Sequence, residues 1–367
     1  MEQTAYVFAG GGTGGHIFPA LAIAEQLAVL SSGKARAVFV VSDRPLDAQI
    51  LTREGAEFVP LPARPFGVRP RALAKFARSW GPAVRESRVH LRRLKAEAGS
   101  VHVVGMGGFV AAPVAQAAKV ERIPVTLVNM DAVPGKANRW VARKAARVVT
   151  STPVEGENWQ VVPPIVRAAA LAAKDPHECR RSLGLEEESP TLLVTGASQG
   201  ARSINRLIIR LLEENARAFA GWQVVHQTGA GEEDAAIAAY ERAGIAAAVA
   251  PFFDAMGLAW GAADLAVSRA GAGSVAEAWA NHIPTVFLPY PYHKDEHQRF
   301  NARPLEQAGG AVIVRDRIDE TANAADAGKV VLDLMGNATR RAAMRNALFK
   351  LGPADGARRI AEILLKA

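Results

Sequence analysis

Residues 9–27 read AGGGTGGHIFPALAIAEQL. The run TAYVFA, Thr4–Ala9, has the composition of a buried strand, and five of the six residues that follow it are glycine. From Ile17 onward the pattern becomes helical. A strand, a glycine turn and a helix start together make an anion site, because glycine lets backbone N–H groups crowd one point where the helix N-terminus adds positive charge. His16 stands at that mouth.

The same pattern recurs along the chain. Strands are predicted at Thr4–Ala9, Ala37–Val41, Val101–Val104, Pro124–Val128 and Arg147–Thr150. Helices are predicted between them, among them Leu73–Trp80, Val84–Glu97 and Ala111–Lys119. This alternation predicts βαβ units and parallel sheets. The run VVPPIVR, Val161–Arg167, interrupts it, since paired prolines continue neither element. The alternation then restarts at Thr191–Thr195, Gln223–Gln227, Ala247–Ala250, Leu265–Val267, Thr285–Leu288 and Ala311–Val314. TLLVT is again followed by a small-residue turn, GASQGA, and a helix from Arg202. The fold class is therefore α/β: two Rossmann-like domains, 1–162 and 163–352, with parallel sheets facing an interdomain cleft. A last helix, within about 353–367, is expected to pack back on the first domain.

Composition narrows the class. The 367 residues are 49% hydrophobic and 22% charged, as in a globular protein of two domains. Cys179 is the only cysteine, which excludes an intrachain disulfide. No signal peptide or membrane-spanning run is expected. The net charge of +8 sits in one segment: between Arg64 and Ala98 ten Lys or Arg face only Glu86 and Glu97. Leu73, Phe76, Trp80 and Val84 recur there near helical spacing, with Lys75, Arg78 and Arg85 interleaved. This reads either as a core-facing stripe with a solvated basic face or as a surface for anionic lipid.

Several motifs admit two readings each. Gly10, Gly12 and Gly15 satisfy G-x-G-x-x-G, which also suits a dinucleotide fold with Asp43 as the ribose acid. A helix N-terminus favours neutral imidazole, so His16 is either a backbone-bonded structural residue or a proton acceptor. Ser198 and Gln199 suit a second diphosphate, and Ser198 equally suits a helix cap. Ser274 and Glu277 fit a capping box, or Glu277 accepts hydrogen bonds from ribose hydroxyls. His293, Asp295 and His297 invite a metal, but H-x-D-x-H has no zinc spacing and a sugar pocket needs the same residue types.

Taken together, GGGTGGHIFPALAIAEQL, GMGGFVAAP, GASQGARSIN, SRAGAGSVAEAW and HKDEHQRFNA resemble the bacterial MurG glycosyltransferases in order and spacing over nearly the whole chain. The resemblance implies the GT-B architecture. It also implies transfer of N-acetylglucosamine from UDP-GlcNAc to undecaprenyl-linked muramyl-pentapeptide, lipid I to lipid II, by an inverting reaction with no metal or cofactor. It assigns Gly11, Gly12, Thr13, Gly14 and Gly15 to the acceptor diphosphate and His16 to the acceptor hydroxyl. Arg167, Ser198, Gln199, Phe253, Met256, Ala272, Gly273, Ser274, Glu277, His297 and Gln298 fall at the donor. Leu73, Lys75, Phe76, Arg78 and Trp80 fall where the family docks on anionic lipid at the cytoplasmic face of the inner membrane. Cell-wall synthesis proteins are implied partners, and nucleic acid is not.

The chain departs from the family at VNMDAVPGKANR. Asn129, Met130 and Asp131 stand where the family has Glu, Gln and Asn. Asp131 keeps the size and one acceptor oxygen of asparagine but loses its amide donor. That makes it a candidate base, or a partner that orients His16. An acceptor other than lipid I, and a non-catalytic UDP-sugar-binding role, are the alternative readings.

Overall fold

The computed structural model describes residues 3–12, 14–197 and 200–367. The chain divides into two compact units, Met1–Ile165 with Asp355–Ala367, and Val166–Ala354.

The first unit is built on seven parallel strands: β1 (Gln3–Ala9), β2 (Ala35–Ser42), β3 (Phe58–Leu61), β4 (Gly99–Gly105), β5 (Val125–Asn129), β6 (Arg147–Thr150) and β7 (Gln160–Val161), in the order β3-β2-β1-β4-β5-β6-β7. Helices cover both faces, so the central strands are apolar on both sides: Ala5, Val7 and Ala9 of β1 are buried in one core, and Tyr6 and Phe8 are buried on the opposite face. The order reverses between β1 and β4, and ligands of such sheets bind outside the strand carboxyl ends at that point.

Past residue 162 the first unit continues to Ile165. The Val162 amide donates to the Thr150 carbonyl (2.9 Å), and the Pro164 carbonyl accepts from the Gly356 amide (3.0 Å). The terminal helix Gly356–Leu365 lies against the helix Gly14–Leu30, with the Tyr6 hydroxyl donating to the Leu364 carbonyl (3.3 Å).

Two expectations need correcting. The segment read as two helices is one helix, Pro70–Ala98, running through Gly81-Pro82. Ala83, Ser87, Leu91, Leu94 and Ala98 are buried at helical spacing, and that stripe holds the helix together beyond the missing amide. Strands β3 and β7 were not foreseen. Both are short and lie at the sheet's edges, and β3 contains Pro60, tolerated on an edge.

The second unit carries six parallel strands: β8 (Thr191–Thr195), β9 (Gln223–Gln227), β10 (Ala247–Ala250), β11 (Leu265–Ser268), β12 (Thr285–Phe287) and β13 (Ala311–Ile313), in the order β10-β9-β8-β11-β12-β13. Its reversal falls between β8 and β11. Among the described residues, no helix is long and apolar enough to cross a membrane.

Candidate functional site

In the first unit the glycine turn leaves β1 and enters the helix Gly14–Leu30, so that helix begins ahead of the expected Ile17 and His16 lies in its first turn. Gly12 has φ +87°, and a Cβ there would meet the Phe109 ring at 2.8 Å. Its backbone is held by two side chains that the sequence reading missed. The buried Asp47 carboxylate accepts from the Gly12 amide (2.7 Å), the Ser42 amide (3.1 Å) and the Ser42 hydroxyl (2.6 Å). The Arg44 guanidinium donates to the Gly12 carbonyl (2.9 Å) and lies 5.3 Å from the Phe109 ring.

Gly12 therefore spends its amide on Asp47. Beside the turn stand the Arg44 guanidinium and the first turn of the helix, where Gly14 and Gly15 lie, and the N–H groups of a first turn have no partner inside their own helix. Thr13, assigned to the acceptor diphosphate, lies outside the described residues.

His16 packs against the turn after β4, where a Cβ on Gly108 (φ +73°) would meet the Gly11 carbonyl at 3.0 Å and the His16 ring at 3.3 Å. Burial pushes the His16 imidazole below its usual range. The charge of Asp131, a hydrogen bond to the Gly11 backbone and the charge of Asp47 offset that only in part. The ring is thus neutral at neutral pH and able to accept a proton.

Asp131 follows β5, in a loop held by buried Asn129. The Asn129 amide donates to the Asp131 carbonyl (2.7 Å) and the Thr150 hydroxyl (3.1 Å), and its oxygen accepts from Asn138 (2.9 Å). The structure thus brings His16 and Asp131 within electrostatic reach of each other. Asp43, the residue that a dinucleotide fold would use as ribose acid, is paired here with Arg64, both its oxygens accepting from the guanidinium at 2.7 and 2.8 Å.

The basic segment carries an aromatic run. Phe66 meets Phe76 at 5.4 Å between ring centroids, Phe76 meets Trp80 at 5.6 Å, and Trp80 meets Trp140 at 5.6 Å. Lys136 lies over Phe66 and Lys144 over Trp140. Leu73, Lys75, Arg78 and Phe66 are exposed, and Phe76 and Trp80 are half-buried. The Leu73–Trp80 stretch is therefore not the core-facing stripe of its helix, which begins at Ala83.

In the second unit Gly271 is the cap of the helix Ala272–Ala280, and Ser274 and Glu277 lie inside it. The capping box is thus absent, which removes the purely local reading of Glu277. Its Oε2 accepts from the Trp260 indole (2.8 Å), and burial pushes its pKa up to about 7, with the Trp260 hydrogen bond opposing. Ala272 and Gly273 form the half-buried first turn of that helix.

Phe253 presents its amide to the Gln227 side chain (3.0 Å), and half-buried Met256 opens the helix Met256–Ala262. Arg167 is half-buried, just before the turn Ala168–Ala170. His297 opens the helix His297–Gln307 with its Nδ1 2.8 Å from Asp295 Oδ1, and Gln298 accepts from the Tyr290 amide (2.8 Å). Ser198 and Gln199, assigned to the donor diphosphate, lie outside the described residues. A buried ion pair, Arg269 to Asp316 at 2.6 Å, ties the end of β11 to the segment after β13 and was not foreseen. Among the described residues no cluster of His, Cys, Asp or Glu is arranged to hold a metal ion.

Comparison with known proteins defines the class. Residues 6–150 match the glycosyltransferase family 28 N-terminal domain, and residues 191–360 match the glycosyltransferase family 28 C-terminal domain. A UDP-N-acetylglucosamine–N-acetylmuramyl-(pentapeptide) pyrophosphoryl-undecaprenol N-acetylglucosamine transferase of Clavibacter michiganensis is 37% identical, over 99% of this chain and 96% of its own length. The transferase of the same name from a Nocardioides species is 37% identical over 98% and 97%. The crystal structure of Acinetobacter baumannii MurG superposes with a TM-score of 0.76 at 24% identity and covers 100% of both chains, which shows the shared GT-B fold. The chain belongs to the MurG family of N-acetylglucosamine transferases.

Proposed function

We propose that this chain transfers N-acetylglucosamine from UDP-GlcNAc to the C4 hydroxyl of undecaprenyl-diphospho-muramoyl-pentapeptide, with inversion at the anomeric carbon. The activity by which relatives that match it end to end are named supports the reaction. The observation on this chain that carries the reading is the place of His16, half-buried in the first turn of the helix that follows the glycine turn, packed against the turn after β4 and within the field of Asp131.

His16 takes the proton of the acceptor hydroxyl as its oxygen attacks the anomeric carbon and the bond to UDP breaks. Asp131 favours the imidazolium that forms. The first-turn amides at Gly14 and Gly15, with Gly11 and Thr13 of the same turn and the Arg44 guanidinium, position the acceptor diphosphate, while Gly12, its amide held by Asp47, shapes the turn. On the donor side the helix start at Ala272, Gly273 and Ser274, together with Ser198 and Gln199, meets the charge that leaves with UDP. Glu277 accepts from the ribose hydroxyls, Arg167, Phe253 and Met256 surround the uracil, and His297 and Gln298 contact the sugar. These roles require no metal ion or cofactor.

A transfer assay with UDP-GlcNAc and a lipid I analogue tests the reaction. Lipid II formation, unchanged by a chelator, is expected. UDP-GlcNAc binding without transfer, or transfer only to another acceptor, overturns it.

We propose that the chain acts at the cytoplasmic face of the inner membrane, held peripherally by anionic lipid; the basic surface with its aromatic run around Leu73, Lys75, Phe76, Arg78 and Trp80 supports peripheral binding to anionic lipid. Co-sedimentation with phosphatidylglycerol vesicles, weakened by salt and by Trp80→Ala, is expected. Equal binding to neutral vesicles contradicts it.

A further inference from the structure

Gln227, the last residue of β9, is buried and is neither charged nor nucleophilic, yet its side chain holds three groups on two different segments. Its Oε1 accepts from the Phe253 amide at 3.0 Å. Its Nε2 donates to the Thr195 hydroxyl at 3.2 Å and to the Ala197 carbonyl at 3.0 Å. Phe253 N–H only donates and the Ala197 carbonyl only accepts, so the amide has one orientation that satisfies both.

Ala197 explains why such a brace is needed. It has φ +60°, a left-handed conformation that costs a residue with a Cβ about 1–2 kcal/mol. Both its polar backbone groups are engaged. Its amide donates to Thr195 Oγ1 (3.1 Å), and its carbonyl accepts from Gln227 and from the Gly200 amide (3.1 Å). The end of β9 also presses on the far side of this turn. A Cβ on Gly200 (φ +72°) would lie 2.2 Å from the Thr228 carbonyl, which itself accepts from Asn205 (2.9 Å).

We propose that Gln227 is a positioning residue for the nucleotide donor. It holds Ala197 in its left-handed conformation just past the end of β8, where the diphosphate binds, and with the other end of the same amide it fixes the Phe253 backbone, which faces the uracil. The proposal rests on the reading of the second unit's strand ends as the donor site. One neutral side chain thereby sets the spacing between the two ends of UDP. A neutral brace also adds no negative charge beneath a diphosphate.

Two substitutions separate the two ends. Gln227→Met keeps the volume and removes all three bonds. Gln227→Glu keeps an acceptor for Phe253 N–H but offers the Ala197 carbonyl a carboxylate oxygen in place of a donor. Calorimetry with uridine and UDP on the full chain is the readout, with steady-state kinetics beside it.

For Gln227→Met, a rise of about 10- to 100-fold in the KM for UDP-GlcNAc is expected, as for buried groups left unpaired, with the KM for the acceptor unchanged. UDP should lose more affinity than uridine, because only UDP spans both segments. Gln227→Glu should restore uridine binding and leave UDP weakened. Thr195→Val reaches the diphosphate side alone and serves if Gln227→Met does not fold. It should weaken UDP and spare uridine. A wild-type chain that binds no UDP overturns the donor reading and this proposal together. Wild-type binding of UDP that all three substitutions leave intact, or that they weaken equally for UDP, uridine and acceptor, overturns the proposal alone.

Discussion

The two units share a strand order around their first strand and a turn of small residues at its end, but they hold that turn by opposite means. In the first unit the braces are charged: buried Asp47 takes the Gly12 amide and Arg44 takes its carbonyl. In the second they are neutral: the Thr195 hydroxyl and the Gln227 amide engage Ala197. The groups around the turns differ in the same way. His16 sits in the first turn's own helix with Asp131 and Asp47 in its field, whereas Glu277, a carboxylate of the second unit whose pKa burial raises, stands on a separate helix. The charged frame adds to the field at His16, whereas the hydrogen bonds that hold Ala197 come from uncharged side chains. One topology thus carries two different electrostatic frames at its turns through a few side chains.

The largest effect that tests this contrast is His16→Ala. A loss of about 10²- to 10⁴-fold in kcat is expected, with the KM for UDP-GlcNAc little changed. Burial holds the imidazole below its usual 6.5, so its proton-accepting form persists below that pH. The rate should therefore be flat above 6.5 and fall only once pH drops through the lowered value. Asp131 raises the His16 pKa, so Asp131→Asn should move that acid limb to still lower pH. An unmoved limb in Asp131→Asn breaks the link between the two residues. A His16→Ala enzyme with near-normal kcat removes the chemical half of the contrast.

Much of this arrangement was legible because it follows from local rules. Apolar strands followed by glycine turns announce parallel βαβ units, and His16 could be singled out from its place at a helix start. What escaped was set by tertiary packing. The helix Pro70–Ala98 runs through Pro82 because its buried stripe outweighs a local breaker. Asp43 and Asp47 both follow β2, and only packing decides that Asp43 pairs with Arg64 in the open while Asp47 turns inward to the glycine turn. Gln227 gave no signal at all, since a strand-end glutamine is ordinary until the segments on either side of it are placed. Likewise Trp140 joins Trp80 from a different helix. The capping box at Ser274 failed for a related reason: the helix starts one turn earlier, at a glycine cap.

The smallest effect concerns Glu277 and sharpens the donor side of the contrast. Burial lifts its pKa from 4.5 to about 7, so the free protein near neutrality holds a mixture of acid and carboxylate. Ribose hydroxyls donate best to the carboxylate, so donor binding draws off a proton. Affinity for UDP should therefore rise as pH climbs towards 7 and level off above it. Stability runs the other way. The raised pKa supports the fold fully below 4.5, and that support fades as pH rises through about 7, until the bound nucleotide restores it. Glu277→Gln cannot titrate, so it should flatten the pH dependence of UDP affinity and weaken binding above pH 7 by roughly 10-fold, as for a hydrogen bond to a charged group. The His16 limb of the kcat profile should stay where it is, because the two groups serve different substrates. If Glu277→Gln moves that limb as well, proton transfer and donor binding share one titrating system, and the division of labour between the two turns no longer holds.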